Sequence, residues 1–300
     1  MLNHRVECGE LSGSSSAVER ELPKLDVAGS IPVSRSIFFG ASLTILILAL
    51  VGCSRPEPPP VDAITRRAIA RTALASHIQP VKLSNCEFER VGDGHDGGYV
   101  MCANLIERAH AFYSYGISAT DRWGCTLSAR YKRPVHQYDC FNTERPVCDD
   151  ATPVFHEECV GPKREIIDGR LFDTVDAQVA RNGDTGKTLV VKMDVEGSEW
   201  ESFLAISDAT LQRIDHLNVE FHGVEEGRYA ATMARLAKFF HVVGLHYNNW
   251  TCSPDVKPFE ATVFEVLFVN KQVGVLEPGG KPVIPNALDA PNNPMRADCQ

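Results

Sequence analysis

Positive charge is scarce in this chain. Its 30 lysines and arginines are outnumbered by 39 aspartates and glutamates, giving a formal net charge of -9, and no Lys/Arg-rich run concentrates the cations present. Binding to a phosphate backbone draws on counterion release by clustered cations, so nucleic acid is not an expected partner. The 10 cysteines include no Cys-x-x-Cys pair, and the series Cys140, Cys148, Cys159 lacks finger-like spacing, which sets zinc binding by thiolates aside. No solenoid-like period and no sustained heptad pattern occurs, excluding repeat arrays and coiled coils. The apolar run from Ile37 to Val51 covers about 15 residues, short of the roughly 20 that a membrane-crossing helix needs.

What is there is enough for one domain with a substantial core: 300 residues, 44% of them hydrophobic. The short apolar run fits the h-region of a secretion signal, and Arg35 just ahead of it supplies positive charge. At its end, Leu50-Val51-Gly52-Cys53 resembles the bacterial lipobox, in which a small residue precedes a cysteine that is lipidated and becomes the mature N-terminus. That resemblance implies a lipid at Cys53 and a membrane-anchored lipoprotein on the extracytoplasmic side of a bacterial cell envelope. Pro56 and Pro58 to Pro60 read as a stiff spacer beyond it. The expected organisation is a disordered extension or misassigned start over 1–34, the signal segment over 35–53, a Pro-rich linker over 54–61, a catalytic domain over 62–273 and an irregular tail over 274–300. With Cys8 and Cys53 set aside, eight cysteines remain, an even number that agrees with an oxidising compartment.

Within the domain, "DAITRRAIARTALASH" spaces Ile64, Ala68, Ile69 and Leu74 as the apolar face of a first helix. "CEFERVGDGHDGGYVMC" reads as a strand, a Gly-rich turn and a second strand, with Cys86 and Cys102 at the outer ends and a disulfide expected between them. After it, "HAFYSYGI", "PVHQYDC", "TPVFHEECVG", "TLVVKMDVEG" and "IDHLNVEFHG" read as strands, and "WGCTLSARYK", "RLFDTVDAQVARNG", "EWESFLAIS" and "YAATMARLAKFF" as helices. "HVVGLHY" and "VFEVLFVNK" complete the set as an antiparallel edge pair. Strands alternating with helices of about ten residues predict an α/β fold with a mainly parallel sheet covered on both faces.

In such a sheet the residues just after each strand carry the ligand chemistry. Gly116 follows the first core strand, and Asp139 follows the second, 23 residues later. That spacing fits a nucleotide site, in which glycine lets backbone approach the ligand and the acid accepts from ribose hydroxyls. "GISATDRWG" lacks the Gly-x-Gly-x-x-Gly cradle of a dinucleotide pyrophosphate, which favours a nucleoside ligand without phosphates. "VVKMDVEGSEWESFLAI" resembles the signature of FkbM-type methyltransferases, and "CEFERVGDGHDGGYVMC" with "YSYGI", "YDC" and "VEFHG" is similar to the relatives of methyltransferase-like protein 24. The match covers about residues 84–270.

The resemblance implies a Rossmann-like class I methyltransferase fold with a seven-stranded sheet and S-adenosylmethionine as cofactor, bound by Gly116 and Asp139 and covered by the Gly97-Gly98 turn. Asp194 and Glu196 match the acidic pair where cofactor and acceptor meet, and His222 at the end of a neighbouring strand is a further candidate base. Glu220 shares the face of His222, either orienting it or bonding a nearby loop. The expected reaction is O-methylation of a hydroxylated small molecule or glycan, without a metal. A non-catalytic lipid-anchored binding protein on the same scaffold is the alternative.

Overall fold

The computed structural model describes residues 61–299. The lipobox and Cys53 lie outside the described residues, and among the described residues no helix is long and apolar enough to cross a membrane. The chain opens with α1 (Ala63–His77), whose first turn is capped by Asp62 accepting from the Thr65 N–H at 2.9 Å. A hairpin of β1 (Phe88–Gly92) and β2 (Gly98–Cys102) leads to β3 (Ala111–Tyr115), α2 (Arg122–Tyr131), β4 (Val135–Asp139) and β5 (Val154–Glu157). Three short strands, β6 (Cys159–Val160), β7 (Glu165–Ile167) and β8 (Arg170–Asp173), precede α3 (Val175–Arg181), β9 (Leu189–Met193), α4 (Glu199–Ala205), the one-turn α5 (Asp208–Leu211) and β10 (Ile214–His222). Then come α6 (Gly227–Phe239), β11 (Phe240–Tyr247) and β12 (Val263–Asn270).

Seven strands form one sheet in the order β11-β12-β10-β9-β3-β4-β5. The five from β10 to β5 are parallel neighbours, and β12 runs antiparallel between β10 and the edge strand β11. The expected mainly parallel sheet with an antiparallel edge pair is what forms. β3 and β9 are buried along their whole length because both faces are covered. Tyr113, Tyr115, Val191 and Met193 join the core built with Trp200 and Phe203 of α4 and Leu236 of α6, whereas Phe112 and Val190 pack with Trp123 of α2 and Tyr99 of the hairpin. Burying Phe203 alone stabilises by about 1.5 to 3 kcal/mol.

Three local readings change. On α1 it is Ala70 and Leu74 that are buried, while Ile64 and Ile69 face solvent: the helix packs on α6 along a narrower line than its apolar residues suggest. "RLFD" forms β8, and the helix starts only after Thr174, whose side chain caps it by accepting from the Ala177 N–H at 3.2 Å. "TPVFHEECVG" divides at Glu158, so β5 ends the large sheet and β6 begins a separate three-stranded sheet ordered β6-β8-β7.

Four cysteine pairs stand at disulfide distance, with Cα separations of 4.9 Å for Cys86–Cys102, 5.2 Å for Cys125–Cys148, 5.1 Å for Cys140–Cys159 and 5.4 Å for Cys252–Cys299. The first is the expected hairpin link. All eight cysteines are used, as an oxidising, extracytoplasmic environment allows. The tail beyond β12 has no helix or strand, yet it is tied down: Asn249 Nδ2 donates to the Asn293 carbonyl at 3.0 Å and the Arg296 carbonyl at 3.1 Å.

Candidate functional site

The winding reverses between β3 and β9. From β3 the chain moves outward through β4 and β5, then returns to set β9 on the other side of β3 and continue to β10. A ligand crevice is expected beyond the carboxyl ends of the strands at such a reversal. Gly116 stands there with φ of 72°, its N–H donating to the Tyr138 carbonyl at 2.9 Å. A Cβ at this position would overlap the carbonyl oxygen of Asp194, whose own N–H donates to the Tyr115 carbonyl at 3.1 Å. The close approach that demands glycine is therefore to the end of β9.

Asp139, at the end of β4, spends its carboxylate on the same loops. Its Oδ2 accepts from the N–H groups of Ile117 (3.0 Å) and Ser118 (2.9 Å), and its Oδ1 from those of Phe141 and Asn142 (both 2.9 Å). Four donors occupy the four lone-pair positions of a carboxylate, so Asp139 is a clamp joining the loops after β3 and β4.

At the end of β9 the acids are differently placed. Asp194 is partly buried, its Oδ2 accepting from the Tyr99 hydroxyl at 3.2 Å and lying 3.7 Å from the ammonium of Lys192. Burial pushes its pKa up, against the pull of Lys192 and His222. Glu196 sits in the left-handed region, φ 55°, with an 87% exposed side chain whose Oε2 is 3.3 Å from His222 Nε2. His222 is oriented from behind: its Nδ1 lies 2.9 Å from Glu199 Oε1, which also accepts from the N–H groups of Val195 (2.9 Å) and Gly197 (3.1 Å). Burial opposes a charge on His222, yet the hydrogen bond and charge of Glu199, with Asp194 and Glu196, carry its pKa above the ordinary histidine value. Glu220 is 5% exposed, and its Oε1 accepts from Asn248 Nδ2 at 3.1 Å. Burial, with the nearby Asp194 and Glu265 charges, pushes its carboxyl well above the usual range.

A cavity of about 560 Å³ opens between these strand ends, within the size range of small-molecule sites. Gly116, Asp139, Asp194 and Glu196 line it, as do Phe141 and the Cys140–Cys159 pair. His222 stands behind Asp194, its Nε2 4.0 Å from Oδ1. Gly97 and Gly98 are not in the lining: Gly97 takes φ of 78° in the β1–β2 turn, and the turn delivers Tyr99 to Asp194. Trp123 is core, and Trp250 lies exposed under the guanidinium of Arg296, 5.0 Å from the ring centroid. A larger depression of about 920 Å³ between α2 and the 144–149 loop holds none of the strand-end acids.

Lys192, Tyr99, Glu199 and Asn248 belong to the site without having been anticipated in these roles. Lys192 left a trace in the sequence, as a lysine inside the otherwise apolar "TLVVKM". It is 5% exposed and donates to the Gly116 carbonyl at 2.5 Å, so it braces the cavity floor. Set against protein-family models, curated proteins and solved structures, the chain matches none of them. Fold and site by themselves define a mainly parallel α/β domain with a ligand-sized cavity at its topological switch, walled by acids.

Proposed function

We propose that the chain is an S-adenosylmethionine-dependent O-methyltransferase acting on a hydroxylated small molecule or glycan, held at a cell envelope by a lipid on Cys53. The observation that carries this reading is the convergence of Gly116, Asp139, Asp194 and Glu196 from three strand ends onto one cavity at the switch of a seven-stranded sheet. These are the positions to which the methyltransferase resemblance assigns cofactor and acceptor. The four cysteine pairs support the oxidising compartment that export implies.

On this reading Gly116 and the loops joined at Asp139 would hold the cofactor, and Asp194 would face the reacting centre. The cofactor would supply a methyl group that exchanges its bond to sulfur for one to the acceptor oxygen, and the proton that hydroxyl loses would pass to Asp194 or, beyond it, to His222 in its neutral form. An in-line approach held by the cavity supplies much of the acceleration, and the base adds about 100- to 10,000-fold. Burial of Asp194 makes it a stronger base than an exposed carboxylate.

A second reading, a binding module without turnover, is favoured by Asp139: with every lone pair engaged, a ribose diol gains a bond there only if a loop N–H releases one. Calorimetry of the full chain with S-adenosylmethionine separates the outcomes. The enzyme reading expects binding that survives Asp194→Asn while methyl transfer to an acceptor panel is lost. Binding with no product in any acceptor leaves the binding module, and no binding at millimolar cofactor under oxidising and reducing conditions ends both.

A further inference from the structure

We propose that Asp194, Glu220 and His222 form a divalent-cation site. β9 and β10 are adjacent parallel strands, and the site takes the residue after β9 with the last and last-but-two residues of β10. Alternation puts Glu220 and His222 on one face, turned toward Asp194. One ligand atom from each side chain lies within 4.8 Å of the others, close to the roughly 4.6 Å that the longest donor pair on one ion spans at bond lengths of about 2.3 Å.

The histidine is preset for such an ion. Its Nδ1 is held by the fully buried Glu199, which leaves Nε2 as the free ring atom. Around Nε2 stand carboxylate oxygens: Glu196 Oε2 at 3.3 Å, Glu220 Oε1 at 3.6 Å and Asp194 Oδ1 at 4.0 Å. These oxygens converge on the position in front of Nε2, and a cation placed there makes the four groups ligands or neighbours of one charge. A buried carboxylate holding the remote nitrogen of a histidine is the outer support that metal-binding imidazoles use.

Glu220 is the independent observation. Its side chain is 6% exposed and its Oε2 has no hydrogen-bond partner. Oε1, which faces His222 Nε2 at 3.6 Å, has Asn248 as its one hydrogen-bond partner, so a half-satisfied buried carboxyl borders the site and a cation on it offsets the cost of its burial. The lysine at the site does not compete for the same atom: Lys192 lies 3.7 Å from Asp194 Oδ2, whereas Oδ1 is the oxygen turned to His222.

Two carboxylates and one imidazole join the donors preferred by Mn²⁺ and Mg²⁺ to one that transition ions accept, so Mn²⁺ is the probe. Asp194 lines the cavity, so the open coordination positions face it. If the methyl-transfer reading holds, a hydroxyl bound there becomes more acidic, and with Asp194 and His222 held by the ion its proton passes to the exposed Glu196 or to water.

The test reads binding alone, with no cofactor or acceptor, so its failure is separable from failure of methyl transfer. The full chain, with disulfides intact and metal removed by chelator, is titrated with Mn²⁺ and the free ion is followed by electron paramagnetic resonance. One bound Mn²⁺ per chain is expected. Glu220→Gln and His222→Gln should each weaken it by at least about tenfold, and Glu199→Gln should weaken it while keeping the stoichiometry. Circular dichroism checks that each variant is folded. Wild type that leaves millimolar Mn²⁺ free overturns the proposal whatever the variants do, as does a bound ion that persists unchanged in folded His222→Gln.

Discussion

Replacing Asp139 distinguishes a loop clamp from a ribose ligand. Asp139→Ala removes the acceptor for four backbone N–H groups. Ser118 and Phe141 are exposed, so water takes over there at little cost, but Ile117 is buried at 3% exposure. Leaving its N–H unpaired costs about 1 to 3 kcal/mol, and the weakened charge-assisted bonds at the other three positions bring the expected loss to about 2 to 4 kcal/mol. For a domain of this size that lowers Tm by about 4 to 16 °C. Asp139→Asn should be no milder than alanine, because its amide NH₂ must face two N–H donors in either flip. Thermal melts under non-reducing conditions measure the loss, and hydrogen exchange at the amides of residues 117, 118, 141 and 142 localises it. An asparagine variant within about 0.5 kcal/mol of wild type, with those amides still protected, refutes the clamp. If that variant also lost cofactor affinity, the ribose role would stand alone.

Gly116→Ala should fail to fold or melt far below wild type, since φ of 72° and the Asp194 carbonyl both refuse a side chain; soluble expression and a melt check it. Burial opposes a charge on His246, but Glu265, Asp289 and Asp298 outweigh it and raise its pKa to about 9. A raised folded-state value stabilises fully below the unfolded pKa of about 6.5 and loses that stabilisation as pH rises through about 9. Urea melts should therefore lose up to about 3 kcal/mol across that window in wild type and stay flatter in His246→Gln. Cys53→Ala should abolish incorporation of labelled fatty acid and release the chain from the membrane fraction; unchanged labelling would remove the lipid anchor from the proposal.

Most strands that frame the site were legible as short apolar runs between turn signals, and their parallel pairing followed from the helices between them, whereas the order in the sheet emerges only in the fold. β6, β7 and β8 were not: strands of two to four residues have no measurable period, and Ile166 and Ile167 are exposed. The face of α1 was misjudged because Ile64 and Ile69 weigh more in a hydrophobic pattern than Ala70, although it is Ala70, with Leu74, that is buried as the helix packs on α6. Asp194 and His222 could be picked out as strand-end residues. What Asp139 and Glu199 do could not, because each acts through backbone N–H groups whose positions exist only once the loops have folded. The literal Gly-x-Gly-x-x-Gly of Gly92 to Gly97 shows the same limit: it lies in a hairpin turn, with no helix behind it to receive a phosphate.

The Cys140–Cys159 pair has a consequence for when the cavity comes into being. It ties the residue after β4 to the first residue of β6, and both cysteines are part of the lining. Under reducing conditions the two segments are not covalently joined there, and only after oxidation does the wall become one covalent surface. A ligand that needs the finished wall is therefore met only in an oxidising environment, which ties the completion of the pocket to that environment rather than to synthesis of the chain.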